Sequence, residues 1–175
     1  MQQKQFPGMD IAASLMAKLD QIDTRQVNGS SRVIATVDFD GGSFVCELGA
    51  IDKLACMVHE ITIQSDRTEA LTSEQLSSMS DDLASRLSYL LEPVSTIEFD
   101  QEATVLQMRS SPPSQNESEG GKTCSYFEIL ARPREILMVR YQKQPGEPRQ
   151  RASMTFTREV IGRIASDMLA TIQTI

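Results

Sequence analysis

The chain predicts an α+β fold, an antiparallel sheet with helices packed on it, and three observations predict it. Runs of alternating apolar and polar residues arrive in groups joined by short turns, the pattern of antiparallel strands. Amphipathic stretches of helical period stand between and after those groups, so helices should cover a face of the sheet. The chain also nearly repeats itself. Thr36-Val37-Asp38-Phe39-Asp40 returns as Thr96-Ile97-Glu98-Phe99-Asp100, and Thr72-Ser73-Glu74-Gln75-Leu76 as Thr157-Arg158-Glu159-Val160-Ile161. The expectation is a single domain over residues 1–175, with strands-then-helix units at about 31–91 and 94–175 behind an N-terminal helix.

That first helix is expected from Met9 to about Gln21, because Ile11, Leu15, Leu19 and Ile22 fall on one face. Val33, Ala35, Val37 and Phe39 then alternate with polar partners in a half-buried strand that ends in a Gly41-Gly42 hairpin turn. The return strand gathers Phe44, Cys46 and Leu48. Leu54 to Gln64 is apolar on both alternations, with Leu54, Cys56 and Val58 opposite Ala55, Met57, Ile61 and Ile63, which predicts a central strand covered on both faces. Thr72 caps a helix with Gln75 in the capping-box position, and Leu76, Met79, Leu83, Leu87 and Leu90 form its stripe before Pro93 stops it. Strands follow at Val94 to Asp100 and Ala103 to Arg109, then a flexible polar loop over about 110–122, then strands at Cys124 to Ala131, Ile136 to Gln142 and Ala152 to Phe156. Val160, Ile161, Ile164, Met168 and Ile172 mark a closing helix.

Composition narrows the function classes. At 175 residues, 40% apolar and 23% charged, the chain can bury a core and lacks the signature of disorder. No apolar leader follows Met1 and no apolar run approaches the roughly 18 residues of a membrane span, so a soluble cytoplasmic protein with no membrane partner is expected. Cys46, Cys56 and Cys124 show no paired spacing and read as free thiols. Gly41-Gly42 and Gly120-Gly121 lack the spacing of a phosphate cradle, so no nucleotide or other cofactor is expected.

Few residues could carry chemistry. His59 is the single histidine, so every His-dependent mechanism would run through it. An enzyme or small-molecule-binding domain with a pocket between sheet and helices is the alternative reading, using His59, Glu60, Tyr126 or Tyr141. Such an enzyme should be sensitive to His59→Ala, and a binding module should tolerate it. Asp38 with Asp40, and Glu98 with Asp100, place carboxylates two apart on one strand face, and an internal two-fold would let all four converge on a hard cation. The bland reading, solvent-facing positions beside turns, is the stronger, and no metal is assigned. From Arg132 to Arg163 the chain holds eight basic residues and three acidic ones inside a net charge of −7. This strip, with Arg140, Arg149 and Arg151, suits an anionic protein surface or pairing with the chain's own acids. Acidity overall and few aromatics argue against nucleic acid.

The order helix, three strands, helix, further strands, helix resembles the type III secretion chaperone family, over the Met9 helix, Val33 to Gln64, Thr72 to Leu90 and Val160 to Ile172. The likeness is one of topology, without a residue motif, and two departures stand out: extra strands in the second half and the insertion from Pro112 to Gly121. It implies a homodimer that holds a segment of a partner protein along apolar grooves. The reading is thus a non-enzymatic protein- or peptide-binding module, with Met79, Leu83, Leu87, Ile164, Met168 and Ile172 as candidate contacts on the helices.

Overall fold

The computed structural model describes residues 10–27, 32–69, 71–118 and 121–174. Met9 and the Gly120 end of the predicted loop lie outside them. Helix α1 (Ile11–Asp20) starts at Asp10, whose carboxylate accepts from the Ala13 N–H at 3.0 Å. It buries Ile11, Leu15 and Leu19, and a single turn, α2 (Thr24–Val27), follows. Three antiparallel strands come next, β1 (Val33–Phe39), β2 (Gly42–Ile51) and β3 (Ala55–Ser65). Helix α3 (Ser73–Arg86) begins in a complete capping box between Thr72 and Gln75, and a 3-10 turn over Leu87–Leu90 leads to Leu91, whose φ of 62° ends the helix. The second group is β4 (Val94–Asp100), β5 (Val105–Ser110), β6 (Ser114–Ser118), β7 (Gly121–Arg132), β8 (Glu135–Lys143), β9 (Gln150–Ala152) and β10 (Met154–Thr157), closed by α4 (Arg158–Gln173). Thr157 caps α4 by accepting from the Val160 N–H at 3.2 Å.

All the strands join one sheet, ordered β1-β2-β3-β8-β7-β5-β4, with β10 on β3, β6 on β7 and β9 on β8. Every described pairing is antiparallel. The α+β class therefore holds. The core lies between the sheet and α1, α3 and α4, and joins Phe44, Ile61, Ile63, Met108, Ile129 and Met138 to Leu15, Met79, Leu83, Ile164 and Met168. Tyr126 and Val139 are buried too, but outside that core, on the opposite face of the sheet.

Five expectations change. Gly42 already belongs to β2, so the hairpin turn is Asp40-Gly41, with Gly41 at φ 86°. The second copy of that turn is longer, because β4 ends at Asp100 and β5 starts at Val105. The polar segment read as a loop over 110–122 contains β6, which runs beside the first half of β7 as a hairpin arm. The last strand is two: β9 pairs with Arg140 to Gln142 of β8, and β10 pairs with Ala55 to Val58 of β3.

The fifth change is in β3. Ile61 and Ile63 of the second set join Cys56 and Val58 on one face, because the register to β2 slips on both sides of Leu48 opposite Val58. His59 is an extra residue in β3 and Gly49 an extra residue in β2, and each bulge reverses the in-out alternation of its strand. Cys56, Val58, Ile61 and Ile63 all point into the core, while Leu54 falls before the strand and is 79% exposed. The second face of β3 carries Ala55 and Met57 before the bulge and Glu60, Thr62 and Gln64 after it, so it is mixed in place of apolar throughout.

Candidate functional site

The six helix residues expected to meet a partner are core residues. Met79, Leu83, Leu87, Ile164, Met168 and Ile172 are all at or below 4% exposure, because three helices share one face of a wide sheet and turn their stripes onto it. The surface left over is the other face, and it is built by the outward alternation of β5, β7 and β8. Arg109 lies opposite Glu128, and Tyr126 lies opposite Tyr141. The two tyrosine rings stand 6.0 Å apart. Arg109 sits over the Tyr126 ring at 4.6 Å, and Arg149 and Arg151 over the Tyr141 ring at 4.2 and 5.2 Å.

One buried carboxylate anchors this platform. Glu128 is 3% exposed and accepts from Arg149 at 2.5 Å and from Arg109 at 3.3 Å, through the same oxygen. Arg151 pairs with Glu60 at 3.5 Å. Three guanidiniums against two carboxylates leave a local surplus of one positive charge on a chain of net −7. The arginines remain 36 to 48% exposed at their side chains, so each can meet a further anion. Arginine and tyrosine fixed over rings are the residue types that dominate binding at protein interfaces.

The basic strip therefore divides. Arg149 and Arg151 belong to the platform. Arg140 points to the helix side, where Nη2 donates to Glu92 at 2.8 Å and to Ser125 at 2.9 Å, and its Cζ lies 4.4 Å above the Phe127 ring. Arg158 pairs with Asp20 and Arg132 with Glu135, so part of the strip is matched within the chain. Arg109 and Glu128 are outside what the sequence reading singled out. The available signal was their place in the polar alternation of two otherwise apolar strands.

The carboxylate pairs do not converge. Asp38 and Asp40 belong to β1 and Glu98 and Asp100 to β4, the two ends of the seven-strand path, six strand spacings or roughly 29 Å apart along the sheet. Among the described residues no group of three or more metal-ligating side chains forms. His59, at its bulge, lines an open polar hollow with Arg32, Glu47, Glu60, Arg151 and Ser153, on the platform side. Of the residues considered for a pocket between sheet and helices, His59, Glu60, Tyr126 and Tyr141, all face away from the helices.

Such a pocket does exist, with other residues. The sheet splits at His59, between the residues of β3 that pair with β10 and those from Glu60 onward that pair with β8, and the β9–β10 segment crosses from β8 to β3. On the helix side of this split lies a cavity of about 350 Å³ between Leu90, Glu92, Phe127, Arg140, Phe156 and Val160. No helix of the described residues is long and apolar enough to cross a membrane. No family model matches the chain, and no curated protein and no solved structure matches it, so the geometry of the site carries the functional reading.

Proposed function

We propose that the protein is a non-enzymatic module that binds an acidic segment of another protein on the helix-free face of its sheet. The observation that carries this reading is the platform itself: Arg109, Arg149 and Arg151 held over Tyr126 and Tyr141, with one unmatched positive charge on an acidic chain. Charged partners of opposite sign are drawn to such a patch, and rigid aromatic anchors hold them at low entropic cost. The reading keeps the chaperone-like resemblance and the homodimer it implies, with the sheet in place of the helices as the contact surface. Three free thiols suit a reducing compartment such as the cytoplasm.

The test is fluorescence anisotropy with a labelled peptide rich in Glu and Leu, beside a control in which every Glu is Gln, with light scattering to report subunit number. Saturable binding of the acidic peptide only, weakened about tenfold or more by Arg109→Gln together with Arg149→Gln, is the expected result. Equal binding of both peptides, or no loss in the double variant, would sink the proposal.

A further inference from the structure

We propose that the cavity at the split of the sheet is a binding site for a small amphipathic zwitterion of the apolar α-amino acid class. The site lies on the opposite face from the arginine platform and does not depend on it. Its volume of about 350 Å³ falls in the roughly 300–1,000 Å³ range of small-molecule sites. One wall suits an apolar or aromatic body: the Phe127 and Phe156 rings stack at 6.1 Å with 18° between planes, beside Leu90 and Val160. The charged wall is the Arg140–Glu92 pair, closed to 2.8 Å, with side chains only 15% and 17% exposed.

The sign of that wall selects the ligand. Arg140 and Glu92 already neutralise each other, so a ligand with a net charge would leave one charge uncompensated beside two side chains that are themselves largely buried. A zwitterion adds one charge of each sign, its carboxylate toward Arg140 and its ammonium toward Glu92, and the four alternate and sum to zero. Hydrogen-bonding capacity remains on both sides. The two bonds of Arg140, to Glu92 Oε1 and Ser125 Oγ, both leave from Nη2 of a group with five N–H donors. Glu92 Oε1 accepts from Arg140 and Oε2 from Ser110 Oγ, and each carboxylate oxygen has room for a second donor. Phe127 beneath the guanidinium and Ser110 beneath the carboxylate fix the head-group end in advance of any ligand.

Titration of the full chain with L-phenylalanine, L-leucine, hydrocinnamate and phenethylamine, followed by amide NMR, tests this. The expected result is saturable shifts at Phe127, Phe156 and Val160 with both amino acids, and about tenfold or more weaker binding of the two analogues, each of which lacks one head-group charge. Val160→Phe, which fills the cavity from the first turn of α4 and leaves the ion pair alone, should abolish the shifts. No saturable shift with either amino acid at millimolar concentration overturns the site. Equal affinity for hydrocinnamate or phenethylamine overturns the head-group assignment, and unchanged binding in a folded Val160→Phe overturns the location. The ligand series on the unaltered protein decides the point where a variant fails to fold.

Discussion

A methyl group added at Gly42 would stand 2.0 Å from the Gln64 carbonyl oxygen and 2.7 Å from the Phe39 ring, so the backbone of β3 approaches β2 where a side chain would have to be. Gly42→Ala is expected to destabilise the fold by about 1–3 kcal/mol in urea unfolding, since a main-chain oxygen cannot swing aside. Its neighbour Gly41 meets no atom within 4 Å but holds φ at +86°, so the same substitution there acts through backbone strain alone. The Gly-Gly pair was legible in the sequence as a turn, but only Gly41 does that work. The need at Gly42 arises from a strand more than twenty positions away, which local pattern does not contain. The thiols make a second residue-scale case. Burial pushes Cys46 and Cys56 up from their ordinary value of 9.0, and the unreactive thiol form prevails. A thiol reagent should modify Cys124 alone in the native protein and all three cysteines after denaturation, read as absorbance per chain.

Helices α3 and α4 are tied to each other through Asp82, whose Oδ2 accepts from Arg86 Nε at 2.6 Å and from Thr171 Oγ1 at 2.7 Å. Partial burial opposes the charge, but the bonds from Arg86 and Thr171 outweigh it and hold the carboxyl below its ordinary 3.8. A lowered folded value contributes stability that is present above 3.8 and lost as pH falls through the folded value. Asp82→Asn is therefore expected to cost about 1–2 kcal/mol at neutral pH, and the gap to the unaltered protein should close in denaturant titrations taken below the usual carboxylate range. The helices themselves were the most legible elements. Thr72 was recognisable as a cap because its signal sits within three residues of the helix start, whereas Thr157 was noted only as its counterpart in the repeat and has Val160 where Thr72 has Gln75. The bulges at Gly49 and His59 were not, because a period-two reading assumes one phase along a strand, and β3 changes phase midway. The same slip moves Ile61 and Ile63 onto the core face and leaves Ala55 and Met57 on the other, so the predicted second apolar face holds for half of its residues. The helix stripes were taken for partner contacts for a separate reason: how far a stripe is covered depends on the width of the sheet beneath it, which no local pattern contains.

At the scale of the molecule, the fold has two faces of different character. The helix side holds the aliphatic core and the Arg140–Glu92 cavity; the other side holds the tyrosine–arginine platform. Sequence separated apolar from polar positions well, and so gave the α+β class, but which polar positions would be neighbours depended on strand order. Arg109, Glu128 and Arg149 come from β5, β7 and the residue before β9, and only the pairing of β5 and β8 on either side of β7 brings them together. The internal repeat survives as two Thr-capped helices and two edge strands. Its strands differ in detail, since β4 carries a register slip at Ile97, which is 47% exposed where its counterpart Val37 is buried.

The split of the sheet also bears on the order of assembly. Strand β3 finds its second neighbour only in residues that follow it by some 70 to 100 positions: Glu135 to Val139 along one half, Met154 to Thr157 along the other. During synthesis at roughly 5–20 residues per second, β1 to β3 would wait for these with the bonding edge of β3 open. Closure of so long a loop is slow, and the nascent first half is the stage at which the chain most resembles a client in need of protection.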